Sequence, residues 1–201
     1  ALVYGNGPLL VARKKLSDEE VINARIAIPG RFTTANLLLS VAWPDARNRK
    51  EYLFSDIVRA LLEDEADAGL IIHETRFTYT EKGLVKIADM GEYWDRLTGL
   101  PVPLGFIVIN RRIPRDTALK FNRILRKSIE YAREHSNELQ DFVSSNAREM
   151  DKSVINSHIG LYVNDFSLSI GQKGRKAITE IYRTAADKGI IPAMPSSIFL
   201  D

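Results

Sequence analysis

The chain has 201 residues, of which 45% are hydrophobic and 27% charged, a profile typical of a globular protein with a substantial core. Its 28 basic and 26 acidic residues leave a formal charge of +2, so neither a nucleic-acid partner nor an anionic membrane surface is expected. Cysteine is absent, which excludes disulfides, thiol catalysis and thiolate metal sites. No apolar run is long enough to cross a membrane and the first residues lack the order of a secretory signal, so we expect a cytoplasmic location.

Strand-like and helix-like segments alternate along the first half of the chain. The predicted strands are residues 9–12, 25–28 and 52–54, a strand ending at 71–72, a hairpin-like return through 84–87, and 106–109. Predicted helices begin at Thr33-Thr34-Ala35, after a cap at Ser55, and at Glu92 before Gly99. This alternation is typical of an α/β sheet.

The second half, from Thr117 onward, predicts one helix after another. The first ends near His135, the second surrounds Phe142, the third is capped by Asp151, and the fourth stops at Gly189. A βα half followed by a helical half suggests two lobes that meet at a cleft, where ligands commonly bind.

His73 is the leading candidate for a functional residue. It follows the apolar triplet Leu70-Ile71-Ile72 at the point where that strand ends. In open α/β sheets ligands gather at the carboxyl ends of strands, and histidine exchanges protons near neutral pH. The alternative is a histidine that only caps the strand and bonds a neighbouring backbone group.

The turn Ile28–Ala35, which joins a strand to a helix, is the second candidate. A helix start offers free backbone N–H groups and a positive dipole end, which attract anions such as carboxylates. Thr33 and Thr34 add hydroxyl groups there; the alternative is that one of them serves only as the helix N-cap. Arg31 is expected to be solvated. In a parallel sheet this turn and His73 would face the same edge.

Other polar and aromatic residues carry weaker signals. His158 lies between Ile155 and Tyr162 on a predicted helix, which favours a buried, hydrogen-bonded role, and His135 is expected to contact the last carbonyls of its helix. The three histidines have no metal-binding spacing, so no metal site is predicted. The aromatic residues that follow His73 are expected to pack in the core or between the lobes more often than to stack on a ligand; they are Phe77, Tyr79, Tyr93 and Trp94.

Four segments, in order, carry a resemblance to a known family: IPGRFTTANLLL, AGLIIHETRFTY, DMGEYWDRLTGLPVPLG and YVNDFSLSIGQKG. Together they resemble the 1,4-dihydroxy-6-naphthoate synthases of the futalosine route of menaquinone biosynthesis. The resemblance spans essentially the whole chain, and four ordered segments are more specific than any one motif.

The resemblance implies an α/β fold of the type II periplasmic binding proteins, with two lobes joined by crossing strands. Residues 14–105 would form the second lobe, and residues 1–13 and 106–201 a helix-rich first lobe. Members of the family carry a further N-terminal segment with strands of the first lobe and a Lys-Leu-Ser stretch that binds substrate. We therefore expect an incomplete first lobe, little or no turnover by this polypeptide, and unpaired strand edges that favour a homodimer or aggregation.

The resemblance also implies the chemistry. The family cleaves cyclic dehypoxanthinyl futalosine to the naphthoate and a three-carbon sugar fragment, with the histidine of the LIIHE motif, here His73, as proton acceptor. The threonine–alanine pair of its PGRxTTA motif, here Thr34 and Ala35, holds substrate. The implied partner is a small aromatic carboxylate substrate, and no metal or organic cofactor is implied.

Two other functions remain open at this point. A chorismate dehydratase-like enzyme of the same pathway would share the fold, although the context of His73 argues against it. A solute-binding module without chemistry would also share the fold, and the missing secretory signal and the protonatable His73 count against it.

Overall fold

The structure is a computed structural model that describes residues 1–73, 75–147 and 151–200. The strands in these described residues are β1 (Leu2–Val3), β2 (Leu9–Ala12), β3 (Ile26–Ile28), β4 (Arg49–Glu51), β5 (Ala68–Ile71), β6 (Val85–Asp89) and β7 (Val102–Pro103). The helices of the sheet-forming half are α1 (Asp18–Asn23), α2 (Thr34–Ala42), α3 (Ile57–Leu62), α4 (Thr75–Thr78) and α5 (Met90–Thr98). The later helices are α6 (Arg115–Glu134), α7 (Gln140–Asn146), α8 (Lys152–Tyr162), α9 (Asp165–Leu168) and α10 (Gly171–Asp187).

A mixed sheet of five strands forms the centre of the first half, in the order β4-β3-β5-β2-β6. Strands β4, β3 and β5 are parallel, whereas β2 runs antiparallel to both of its neighbours. The sheet strands are rich in buried apolar residues, and helices cover them, as expected for a sheet that is buried on both faces. The α/β class predicted from the sequence is therefore confirmed.

A second, two-stranded sheet joins the first half to the helical half. Strand β1 pairs antiparallel with β7. The chain therefore crosses between the two sheets twice, from β1 to β2 and from β6, through α5, to β7. Helices α6 to α10 follow, and the side-chain amide of Asn164 donates a hydrogen bond of 2.8 Å to the carbonyl of Leu2. None of the described helices has both the length and the apolar character that crossing a membrane requires.

Strand β2 bears on the predicted lobe boundary at residue 13. Its residues Leu9–Ala12 hydrogen-bond with β5 and β6 inside the larger sheet. The predicted division had instead assigned them, as part of residues 1–13, to the helical lobe. The reason is the crossing of the chain after β1, which the sequence does not reveal. The division into residues 1–13 with 106–201 and residues 14–105 otherwise stays a prediction.

The third predicted strand is wrong in its position. The sequence placed it at residues 52–54, but β4 is Arg49–Glu51 and the following Phe54–Asp56 form a turn of 3-10 helix. Residues 49–51 form a strand because they hydrogen-bond to β3 at the edge of the sheet. They are charged and mostly exposed, so no apolar pattern in the sequence reveals the strand. Ser55 is also not a cap, since α3 begins after Asp56 and has no side-chain cap bond.

Two further strand predictions fail because they assumed neighbours that the fold does not supply. Strand β6 does not form a hairpin with β5, since β2 inserts between them and pairs with both. Residues 106–109 are not a strand, although they are all apolar; Ile107 is 70% exposed and Val108 85% exposed. Among the described residues no strand lies beside that segment, so its strand propensity has no hydrogen-bonding partner.

The remaining predicted elements are confirmed within a few residues. Helix α2 begins after Thr33, α5 ends at Gly99 in the left-handed conformation, and α8 is capped by Asp151, whose carboxylate accepts hydrogen bonds from two backbone N–H groups. The short α9 was not predicted. One apolar face of α6, which includes Phe121, lines an open groove with residues 106–113 and α10 instead of a closed core.

Candidate functional site

Three parallel strands end at one edge of the larger sheet. In the register of β4, β3 and β5, Ile28 lies opposite Glu51 and Ala27 opposite Gly69, so the segments that follow these strands emerge side by side. Strand β5 leads to His73, β3 to the start of α2, and β4 to Phe54. The parallel arrangement that the sequence argument required is therefore present.

His73 lies in a turn two residues after the end of β5. Its φ is +57°, in the left-handed region that residues with a side chain adopt only at a cost of about 1–2 kcal/mol. The imidazole is exposed and meets the ring of Phe54 edge-on, with ring centroids 5.3 Å apart. Positive φ at a residue other than glycine tends to cluster at functional sites, which makes this turn the natural centre of the candidate site. Glu74, its neighbour in the motif, lies outside the described residues.

Thr33 acts as the N-cap of α2. Its hydroxyl donates to the carbonyl of Gly30 at 2.8 Å and accepts from the N–H of Asn36 at 3.3 Å. Both hydrogen-bonding roles of that hydroxyl are thus used inside the protein. These contacts match the alternative in which a threonine of this turn serves as the helix N-cap. Such a cap is worth about 1 kcal/mol of stability.

Thr34 and Ala35 form the first turn of α2. The hydroxyl of Thr34 donates to the carbonyl of Leu104 at 3.1 Å, which ties the helix start to the segment that follows β7. The side chain of Ala35 is buried. Among the described residues, nothing accepts a hydrogen bond from the backbone N–H groups of Thr34 and Ala35, so two donors remain at the positive end of the helix dipole.

Arg31 and Phe32 flank this helix start. Arg31 is exposed, as expected, and its backbone N–H donates to the Glu51 carboxylate at 2.9 Å. Phe32 is 96% exposed, although burial of a phenylalanine side chain is worth about 1.5–3 kcal/mol. An aromatic ring in water beside free amide donors is a feature that the sequence argument passed over.

A buried ion pair behind His73 was also missed. The guanidinium of Arg76 donates to Asp89 at 3.0 Å, to the side-chain oxygen of Asn6 at 2.8 Å and to the carbonyl of Gly7. The same Asp89 accepts from the backbone N–H groups of Gly7 and Gly91, at 2.8 and 2.7 Å. Asp89 before a helix is a recognisable N-cap signal, but the sequence offers no sign that Arg76 reaches it.

His158 is the residue that links the two halves of the chain at this site. It is half-buried on α8, and its ring centroid is 5.9 Å from that of His73. Its sequence context, between Ile155 and Tyr162, indicated the inward face of a helix but not this contact. His135 lies elsewhere, at the end of α6, where its Nδ1 atom is 2.9 Å from the carbonyl oxygen of Tyr131, as predicted for a helix C-terminus.

Two of the aromatic residues after His73 pack in the core, the role that the sequence favoured. Trp94 is completely buried in the main core, and Tyr79 packs against the core cluster beneath α3. Phe77 is 36% exposed and its ring lies 6.0 Å from the guanidinium carbon of Arg76. Within the described residues no three histidine, aspartate or glutamate side chains are grouped as metal ligands.

The groups with shifted pKa values lie outside the carboxyl edge. Hydrogen bonds from Arg25 lower the pKa of Asp67, and both residues precede the strands β3 and β5 at the opposite edge. Burial lowers the pKa of the Arg49 guanidinium, which bonds the side chains of Asn36 and Ser40 on α2. These groups stabilise the frame of the site.

Comparison with known proteins adds a family and a fold. Residues 1–187 match the family model described as "Menaquinone biosynthesis". The 1,4-dihydroxy-6-naphthoate synthase of Thermus thermophilus is 38% identical over 200 residues, covering 100% of this chain and 72% of the relative. The enzyme of the same name from Streptomyces coelicolor is 37% identical over 200 residues, covering 96% of this chain and 70% of the relative.

Two solved structures resemble the fold. A protein from Archaeoglobus fulgidus matches with a TM-score of 0.88 at 35% identity, covering 95% of this chain and 71% of that one. The ligand-binding component of an ABC-type import system from Staphylococcus aureus matches with a TM-score of 0.57 at 15% identity, covering 94% and 66%. The second likeness concerns the fold alone, and it agrees with the predicted periplasmic-binding-protein-like architecture.

Proposed function

This chain belongs to the menaquinone biosynthesis family, and from that premise we propose that it is a carbon–carbon lyase of the 1,4-dihydroxy-6-naphthoate synthase type. Its substrate would be cyclic dehypoxanthinyl futalosine, and its products the naphthoate and a three-carbon sugar fragment. The observation that carries the proposal is the likeness along the whole chain to two enzymes of this name, at 38% and 37% identity. The geometry at the carboxyl edge supports it.

His73 is proposed as the general base. Its ring is exposed at the end of β5, so a ligand can approach it, and imidazole is the side-chain group best suited to exchange protons near neutral pH. Removal of a proton from the bound substrate would start the cleavage, and the protonated imidazole would then return that proton to a product. A base in this role contributes about 10²–10⁴ in rate.

The substrate carboxylate is proposed to bind at the start of α2. The N–H groups of Thr34 and Ala35 are donors in the first turn, and the helix dipole favours a negative charge there. Thr33 would act indirectly, because its hydroxyl caps the helix and fixes the direction of these donors. Orientation of substrate between this turn and His73 would add to the rate.

Turnover tests the reaction in a purified chain extended by the N-terminal segment that members of the family carry, since little or no turnover is expected of the 201 residues alone. The protein is incubated with cyclic dehypoxanthinyl futalosine and, separately, with chorismate, and products are identified by mass spectrometry. We expect 1,4-dihydroxy-6-naphthoate from the first substrate and no product from the second. Product from chorismate alone would favour the dehydratase-like enzyme, and binding without any product would favour a solute-binding module.

Substitution of His73 tests the base. His73→Gln should retain substrate binding by calorimetry and lose about 10²–10⁴ in kcat. His135→Gln is the matched control, since His135 is a half-buried histidine at the end of α6, away from the carboxyl edge of the sheet. Unchanged turnover by the His73→Gln protein would remove this residue from the mechanism.

The carboxylate subsite has its own test. The naphthoate product and its methyl ester differ only at the proposed docking group, where the ester lacks the negative charge and carries one additional methyl group. We expect the acid to bind at least about tenfold more tightly, because charge-assisted hydrogen bonds to backbone N–H groups are worth about 1.5–3 kcal/mol. Equal binding of acid and ester would place the carboxylate elsewhere.

A further inference from the structure

The imidazole of His73 contacts a ring from each half of the chain. On the sheet side, Phe54 meets it at a centroid distance of 5.3 Å and an interplanar angle of 67°. On the helical side, His158 meets it at 5.9 Å and 37°. Since His158 belongs to α8, this contact bridges residues that are far apart in sequence.

His158 is better immobilised than the residue it contacts. Its ring packs against Tyr162, one helical turn later, at a centroid distance of 4.4 Å. The residue one turn earlier on the same face, Ile155, is only 7% exposed. By contrast, His73 lies exposed in a turn, where a side chain samples several staggered rotamers unless something restricts it.

We propose that His158 is a positioning residue for His73: its ring, held against Tyr162, restricts the imidazole of His73 to the orientation that proton transfer needs. The inference rests on the proposed role of His73 as base. A base must lie within hydrogen-bond reach of the proton that it removes. A misplacement of about 1 Å can cost roughly 10²-fold in rate, so an orienting contact is of direct use.

Three variants separate this role from general packing. His158→Phe keeps an aromatic ring at the contact, whereas His158→Gln removes the ring and keeps a polar side chain. His135→Gln is the matched control, because His135 also stacks on a tyrosine four residues away, Tyr131, at a centroid distance of 4.0 Å. Circular dichroism establishes that each variant is folded before it is assayed.

The kinetic result expected is a loss in kcat with little change in KM. His158→Gln should lower kcat by about 10–100-fold, His158→Phe should retain most of the activity, and His135→Gln should match the parent protein. Full activity of the Gln variant would overturn the inference. Equal losses in the Gln and Phe variants would also overturn it, because they would assign the effect to the ring nitrogens.

A second measurement works without substrate. Nuclear Overhauser contacts between the rings of His73 and Phe54 report whether the imidazole keeps its orientation. They should persist in the parent protein, His158→Phe and His135→Gln, and weaken in His158→Gln. If they persist in His158→Gln, the inference fails. A parent protein that makes no naphthoate would instead count against the proposed function, so the two failures are distinguishable.

Discussion

Arg76 and Asp89 form an ion pair of 3.0 Å with side chains that are only 10% and 3% exposed. The backbone N–H of Arg76 also donates to the carbonyl of His73 at 3.3 Å, so the pair lies directly behind the turn that carries the proposed base. Asp89 is the last residue of β6 and the N-cap of α5. This pair therefore fastens the turn of His73 to the sheet.

Removal of one partner of this pair should be costly. Arg76→Met would leave the Asp89 carboxylate buried without its cation, and we expect the free energy of unfolding to fall by about 3–5 kcal/mol. The control is Arg59→Met, which breaks an exposed pair with Glu63 and should cost at most about 1 kcal/mol. Urea denaturation measures both, and equal costs would contradict a buried role for Arg76.

The left-handed backbone conformation of His73 should lower the stability of the folded protein. Because its φ is +57°, His73→Gly should be more stable than His73→Ala by about 1 kcal/mol. At Glu63, where φ is −87°, the same pair of substitutions should favour alanine or show no difference. A preference for alanine at position 73, measured by denaturation, would show that the turn relaxes to an ordinary conformation.

The cap of α2 predicts a graded response at Thr33. Thr33→Ser retains the hydroxyl that accepts from the N–H of Asn36, while Thr33→Ala removes it and should cost about 1 kcal/mol of stability. Binding of the naphthoate should weaken in the same order, since the cap sets the direction of the neighbouring amide donors. Calorimetry and thermal unfolding of the two variants test this, and equal behaviour would mean that the cap is dispensable.

Asp67 should make the free energy of unfolding depend on pH in the acid range. Hydrogen bonds from Arg25 lower the pKa of Asp67 in the folded protein, while in the unfolded chain the value is about 3.9. The carboxylate therefore stabilises the fold above about pH 4, and this contribution disappears as the pH falls through the folded-state pKa.

We expect Asp67→Asn to be less stable than the parent protein at about pH 6, and the difference to shrink towards about pH 3. Asp45→Asn is the control, since the Asp45 carboxylate is 71% exposed and 3.8 Å from its nearest cation. Unfolding free energies across this range provide the measurement. A difference for Asp67→Asn that does not change with pH would contradict the assignment.

Gly7 and Gly91 approach so closely that neither tolerates a side chain. A Cβ atom built on Gly7 would lie 2.4 Å from the backbone nitrogen of Gly91, so Gly7→Ala should cost about 3 kcal/mol or more. Gly105→Ala is the control, because a Cβ there meets no atom within 4 Å. Similar stabilities of these two proteins would show that the backbone at Gly7 moves away at little cost.

The sequence predicted those features that depend on local pattern. The buried strands, the cap at Thr33, the stop at Gly99 and the place of His73 at a strand end follow from apolar runs, hydroxyl caps and glycine conformations. Features that depend on contacts between residues far apart in the sequence could not be predicted. The charged edge strand β4, the insertion of β2 and the contact of His158 with His73 are set by tertiary neighbours, which single-sequence patterns do not encode.

Strand β2 is synthesised early and meets its partners late. It lies between β5 and β6, so Leu10 and Val11, both fully buried in the folded protein, have no neighbouring strand until residue 71 has left the ribosome and lack the second one until residue 89 has done so. The parallel strands β3, β4 and β5 are complete before that point, and contacts between distant segments form slowly. We therefore expect the β3–β5 unit to collapse first and the docking of β2 to limit the rate of folding, which exposes an apolar strand to misassembly in the interval.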